Sequence, residues 1–270
     1  MANYYSPKEI IDYTSEGGLG KVNRSPLVVF LMAIMAGVYI ALGGFASSVG
    51  SHAIADAGLA KVVAGTIFPI GLMCVVIIGA DLFTGNCLIV VTCLDKKAKL
   101  AQFATNLIIV FLGNLVGSLL ISFIVANAGM AGFNGGKLGE YFVKSASKKV
   151  NLGFKQALCM GIICNLFVCA GVLLMYAAHD ISGKVLAGFF AIFAFVVSGT
   201  EHVVANMFYV PVALFMKTPE LLEAAHVDAA SLTWSKFFIN NVIPVTIGNI
   251  IGGTFLGIMY YLIHRQFAKK

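Results

Sequence analysis

Ser198-Gly199-Thr200-Glu201-His202-Val203-Val204-Ala205-Asn206 lies inside an apolar run, Val185 to Phe215, that would otherwise read as one membrane-spanning helix. A charged side chain at mid-bilayer costs about 2.5–3.5 kcal/mol on insertion scales, so Glu201 beside His202 at that depth needs an interior partner or a water-filled cavity. The succession of glycine, hydroxyl, acid and imidazole predicts a broken helix there.

The layout occurs a second time. Gly79-Ala80-Asp81-Leu82-Phe83-Thr84-Gly85-Asn86 interrupts an earlier apolar run, and its glycine-x-acid-x4-asparagine pattern is that of Gly199-Thr200-Glu201-(four residues)-Asn206. Downstream, Asn106 and Gly113-Asn114-Leu115-Val116-Gly117 match Asn241 and Gly248-Asn249-Ile250-Ile251-Gly252. More faintly, Ala33, Gly37 and Leu42 match Ala157, Gly161 and Leu166. Three spans repeated as three spans insert in opposite directions, because an odd number reverses orientation. Interrupted helices in corresponding positions of two such halves point to a site near the bilayer midplane. Non-helical backbone is tolerated at that depth only where protein buries it or it lines a cavity. Asp81–Asn86 and Ser198–Asn206 are therefore expected to face each other across one.

Hydrophobic residues make up 59% of the 270 positions and charged residues 11%, which excludes a water-soluble globular domain. Spans of roughly 20 apolar residues fit at about 26–49, 59–91, 104–128, 154–178, 185–215 and 237–263. The expected fold is an all-α membrane protein with six transmembrane helices in an inverted 3+3 repeat, its second and fifth helices broken. Residues 1–25 form a cytoplasmic N-terminal segment. Residues 26–270 form one membrane domain, with repeat one at about 26–128 and repeat two at about 154–265. The second half of the first broken span is expected at Cys87–Val91, and the glycine-rich, then basic, stretch Gly129–Lys155 as a partly ordered hairpin on the outer face.

No short apolar stretch with a cleavage site opens the chain, so no signal peptide is expected. The net charge of +6 resides in loop lysines and bears on orientation rather than on a nucleic acid partner. Arg24, Arg265 and the short turn Lys96-Lys97-Ala98-Lys99 lie on the side of the termini, which places both termini in the cytoplasm. The tail His264–Lys270 reads as a basic interfacial anchor. The six cysteines form no C-x-x-C pair, and Cys159, Cys164 and Cys169 advance about 140° per step and cannot share a face. Neither a metal site, a disulfide nor a cofactor is expected.

Asp81 and Glu201 can accept hydrogen bonds from freed backbone N–H groups, while Asn86 and Asn206 can cap the second half-helices. These four read mainly as staples of the breaks. The halves differ at the next position, Leu82 against His202, and function is expected where they differ. His202 is the one mid-membrane histidine of five and reads as a proton donor or anion-attracting group, with Glu201 beside it to fix its tautomer or favour its charged form. Thr84 offers a hydroxyl from the opposing break. Phe68, Leu82, Phe83 and Phe195 flank the breaks and are candidates for apolar constrictions. A neck that sheds hydration disfavours an ion, and a proton source beside it relieves this by neutralising a weak-acid anion in transit. Half-helix N-termini add positive potential. Lys149, with Lys148, extends it to the outer mouth.

With these residues in view, the chain closely resembles the formate/nitrite transporter family over nearly its full length. The resemblance rests on Gly79-Ala80-Asp81-Leu82-Phe83-Thr84, Lys149, Asn165, Ser198-Gly199-Thr200-Glu201-His202 with Ala205-Asn206-Met207-Phe208, and Asn241 through Gly253. It implies an aquaporin-like fold assembled as a homopentamer in the cytoplasmic membrane, each protomer passing small monovalent anions such as formate, nitrite or hydrosulfide. By motif match, Thr84 and His202 line the pore centre, Leu82 and Phe195 form one constriction and Phe68 another, with Asn165, Asn206 and Lys149 as polar contacts. The chain looks most like the hydrosulfide-channel branch. Thr200 stands where formate-handling members carry a bulkier aromatic residue.

The alternative is a neutral small-solute channel of the aquaporin type. Asn86 and Asn206 suit it, but Asn-Pro-Ala is absent and His202 has no role in it. An intramembrane hydrolase built on Glu201 and His202 lacks any supporting motif.

Overall fold

The computed structural model describes residues 4–267 and is helical apart from one isolated bridge between Tyr4 and Ala178. Lys269 and Lys270 of the expected basic anchor lie outside the described residues.

Ten helices carry the argument. They are α1 (Pro7–Val22), α2 (Pro26–Ser51), α3 (Ala57–Gly79), α4 (Phe83–Leu94), α5 (Leu100–Asn127), α6 (Lys137–Val150), α7 (Phe154–Ala177), α8 (Ile181–Ser198), α9 (Val203–Met216) and α10 (Ala229–Gln266). Helices α2, α3, α5, α7, α8 and α10 are long and apolar enough to cross a membrane, and α4 and α9 are shorter apolar helices. The pairs α3/α4 and α8/α9 are the two broken spans.

Local sequence sets these boundaries. Ser25 caps α2, accepting from Val28 N–H, with Pro26 in the first turn, where a missing N–H costs nothing. Before the first break, Ala80 N–H reaches back five residues to Val75 O (2.8 Å), so the helix is wound wide just where it stops. The second break follows Gly199, at φ +66° in the left-handed region.

The two halves pack alike. α5 lies along α2 and α10 along α7, drawn close by matched glycines. A Cβ at Gly117 or Gly252 would run into the backbone carbonyl of Ile34 or Ile162, respectively. Small residues of this kind let membrane helices approach backbone to backbone.

Two expectations are corrected, and one element is added. The second half of the first broken span begins at Phe83 and runs to Leu94, because the N–H groups of its first turn find partners earlier than Cys87. The stretch read as a hairpin holds α6, an amphipathic helix that buries Leu138, Phe142, Val143, Ala146 and Val150. The N-terminal segment contains α1, opened by a capping box in which Ser6 and Glu9 bond reciprocally. The mixed polarity of its sixteen residues hides that helix from a search for apolar periodicity.

Candidate permeation site

Each break is held by the same set of bonds in both halves. In the first, Asn114 Oδ1 accepts Phe83 N–H (2.9 Å), and its Nδ2 donates to Ala33 O (2.8 Å) and Asp81 O (2.9 Å). In the second, Asn249 Oδ1 accepts Val203 N–H (2.9 Å), and its Nδ2 donates to Gly161 O (2.8 Å) and Glu201 O (3.0 Å). One amide thus serves the N–H and the C=O that the break strands out of reach of water and anchors them to a carbonyl of the neighbouring unbroken helix. Asn86 Nδ2 donates to Asp81 Oδ1 (3.3 Å) and Asn106 Oδ1 (2.9 Å). Asn206 Nδ2 donates to Glu201 Oε2 (2.6 Å) and Asn241 Oδ1 (2.8 Å). The inverted repeat is therefore visible bond by bond.

The acids and asparagines do staple the breaks, but through bonds other than those expected. Asn86 and Asn206 do not cap the half-helices, because each sits a full turn inside its helix, where its amide reaches a carboxylate instead. The capping acceptors are Asn114, Asn249 and His202. The breaks also bring no backbone N–H to Asp81 or Glu201, which are held by cations and amides. Lys21 and Arg24 approach Asp81 at 3.2 and 3.1 Å, and Lys21 also donates to Asn86 Oδ1. Lys149 lies 2.8 Å from Glu201 Oε1 and 5.5 Å from the Tyr209 ring centre. All four acids and amides of the motif are buried, so each charge is compensated inside the protein.

Thr84 and His202 meet between the breaks, Oγ1 to Nε2 at 2.9 Å. His202 is the N-cap of α9, and its Nδ1 accepts Ala205 N–H (3.0 Å). A backbone N–H can only donate, so Nδ1 is the bare nitrogen, Nε2 carries the proton, and Thr84 Oγ1 accepts it. The tautomer is fixed by Ala205 rather than, as expected, by Glu201.

Two cavities approach this contact. On the side carrying the termini, one of about 200 Å³ is lined by Leu82 and Asn86, with Tyr13, Lys21 and Arg24 from the N-terminal segment. On the far side, one of about 380 Å³ is lined by Phe68, Phe195, His202, Asn206, Lys61 and Lys149. It opens beside a vestibule of about 780 Å³ whose wall carries Lys61, Lys137, Lys144, Lys148 and Lys149. The rings of Phe68 and Phe195 lie 5.8 Å apart, and Phe195 lies 5.8 Å from His202. Phe68 is thus grouped with Phe195, leaving Leu82 on the other side.

Phe83 lines neither cavity. It turns toward Phe111 (5.5 Å) and an apolar recess between α5 and α10, because the first residue of α4 is rotated about 100° from its N-cap Leu82. Asn165 is also absent from both linings, its Nδ2 donating to Thr84 O (3.2 Å) and Asn249 O (2.6 Å). It supports Thr84 from behind.

Sequence reasoning missed Lys21 and Arg24 as counter-ions of Asp81. It also left Asn106, Asn114, Asn241 and Asn249 without a role, although their repeated spacing was the signal.

Six membrane-crossing helices in two inverted halves, with paired half-helices meeting at a threonine–histidine contact between two cavities, define a polytopic membrane transport protein. A family model described as formate/nitrite transporter matches residues 8–263, and the chain belongs to that family. It is 38% identical to a probable formate transporter of Methanothermobacter thermautotrophicus, over 88% of this chain and 89% of that one. It is 36% identical to the formate channel FocA of Escherichia coli strain K12, over 96% and 94% respectively. Among solved structures it is similar to a pentameric formate channel with formate bound, with TM-score 0.79 and 32% identity, covering 88% of this chain and 97% of that chain.

Proposed function

We propose that the protein is a channel for small monovalent anions of weak acids, formate, nitrite or hydrosulfide, and works as a homopentamer in the cytoplasmic membrane with both termini in the cytoplasm. The observation that carries this reading is the Thr84–His202 hydrogen bond between the two breaks, with a cavity on either side. An anion entering the contact exchanges its hydration for the Nε2–H donor, with Phe68 and Phe195 as the apolar wall that sheds water. Relatives named for formate transport and a pentameric neighbour with formate bound support both the substrate class and the assembly.

Protons enter through the same residue. A second proton reaches Nδ1 of His202 only if the bond from Ala205 N–H opens, so proton coupling and loosening of the first turn of α9 are one event. The hydrosulfide preference rests on resemblance and on the size of HS⁻, which suits a narrow apolar neck.

Passage of a neutral solute is the second reading. Asn206 favours it, since its Oδ1 is buried without a partner among the described residues, in a residue that lines the far-side cavity, and an acceptor there welcomes a donor. Flux of formate, nitrite, hydrosulfide and chloride into proteoliposomes at several pH values separates the two. Saturable flux of the weak-acid anions above chloride supports the channel proposed, and permeation of neutral solutes alone overturns it.

A further inference from the structure

Lys149 was expected to draw anions to the far-side mouth, but its ammonium lies 2.8 Å from a buried carboxylate, so the pair presents little net charge to the cavity. Lys144 is likewise committed to Glu140 at 3.0 Å. The cation that serves the mouth must come from elsewhere.

Lys61, in the second turn of α3, borders both the wide vestibule and the narrower cavity that ends at Phe68, Phe195 and His202. Among the described residues no carboxylate lies within 4 Å of its ammonium. Its position is set by the break. Nζ rests against Gly199, where an added Cβ would come within 2.5 Å of it. Gly199 thus does two things: it takes the left-handed φ of +66° that ends α8, and it leaves the space in which the Lys61 ammonium sits. Lys148 also borders both cavities without a carboxylate partner, but it projects from α6 on the vestibule wall, whereas Lys61 touches the broken segment itself.

We infer that Lys61 is the anion-capture residue of the far-side mouth, holding a monovalent anion over the Gly199 break before it passes Phe195 and His202. The inference rests on the reading of the protein as a weak-acid anion channel. Its physical basis is that a bare ammonium a few ångströms from an anion attracts it strongly at the low effective dielectric of a cavity wall, whereas one paired with a carboxylate does not. The role is to concentrate and orient the anion, so it acts on half-saturation more than on maximal flux.

The test is formate flux into proteoliposomes at neutral pH, where formate is already the anion, for the wild type, Lys61→Gln and Lys61→Arg, at about 0.01 M and about 0.15 M ionic strength. The expected result is a half-saturating concentration raised about 5- to 10-fold in Lys61→Gln at the lower ionic strength, shrinking to within about 2-fold at the higher one. Lys61→Arg, which keeps the charge, stays near the wild type. Lys61→Gln indistinguishable from the wild type at both ionic strengths overturns the inference. So does an equal loss at both with Lys61→Arg impaired alongside, since that marks a packing role at the end of α8. Wild-type protein that carries no formate at all overturns the channel reading instead, which separates the two failures. Thermal unfolding of Lys61→Gln at the wild-type temperature is part of the expected result.

Discussion

Thr84 Oγ1 and His202 Nε2 lie 2.9 Å apart, one on each broken helix, in a side-chain bond that joins the two breaks directly. His202 makes it while its other nitrogen caps α9 through Ala205 N–H. One side chain therefore has a structural end and a working end.

The two ends separate by mutation. His202→Phe removes both and should cost about 1–2 kcal/mol for the lost N-cap, with a lower unfolding temperature and an altered pH dependence of anion flux. His202→Asn supplies a good capping acceptor but is too short to reach Thr84. It should recover most of the stability and none of the wild-type pH profile between about pH 5 and pH 8. Unfolding and flux on the same preparations check this, and a wild-type pH profile in either variant would contradict it.

Lys149 and Glu201 should behave as a coupled pair. Breaking a buried ion pair from one side strands a charge and costs about 3–5 kcal/mol, whereas removing both partners costs far less. Lys149→Met and Glu201→Gln should each destabilise strongly, and the double variant should be more stable than either single one. Denaturation midpoints in detergent measure this, and simple additivity would contradict the pairing.

Asn249 offers a sharper substitution. Asn249→Asp keeps size and shape but turns the donor that faces Gly161 O and Glu201 O into an acceptor. Glu201 O, in the break, would lose its partner at about 1–3 kcal/mol, and Gly161 O would lose the bond it accepts in addition to its helical one. Asn114→Asp should do the same in the other half through Ala33 O and Asp81 O. Expression and thermal unfolding report the loss, and a variant as stable as the wild type would show the clamps to be dispensable.

The N-terminal helix should stay docked over a defined range of pH. Glu16 accepts from Lys97 at 2.5 Å, Ser15 donates to Asp95 at 2.6 Å, and Arg265 bridges Asp95 and Asp12. The hydrogen bond to Glu16 raises Lys97 above its ordinary 10.5, so this contribution is complete below that pH and is lost as pH rises through the higher folded value. Bonds from Ser6 lower Glu9 below its ordinary 4.5, so the capping box is complete above that value and is lost as pH falls through the lower one. Spin-label distances between α1 and the Lys97 turn should hold up to about pH 10 and lengthen above it, while the first turn of α1 should fray only below about pH 4.5. Release of α1 at neutral pH would contradict the ion-pair account.

Much of the fold was legible because a membrane leaves few options. Apolar runs of span length, a glycine-x-acid-x4-asparagine pattern present twice and an odd number of spans per half together dictate an inverted repeat with paired breaks. Thr84 and His202 were legible because polar groups at that depth are scarce. Phe83 was not, since a one-residue turn at the break decides which way a ring points and composition does not record it. Lys21 and Arg24 escaped notice as partners of Asp81 because they come from a polar helix and the link after it, far from Asp81 in sequence. The roles of Asn114 and Asn249 depend on which backbone groups a break leaves bare, and only three-dimensional placement reveals that. Lys149 was found, but its charge was assigned to the solute when Glu201 already holds it.

The central claim is that the Thr84–His202 contact passes a weak-acid anion. The most direct test measures formate and water permeability in the same proteoliposomes, with wild-type protein and with Thr84→Val, which removes the hydroxyl at nearly constant volume. The account predicts saturable formate flux well above water permeation in the wild type, and loss of formate flux in Thr84→Val without loss of folded protein. Water permeation that outruns formate in the wild type, or formate flux indifferent to Thr84→Val, would contradict it.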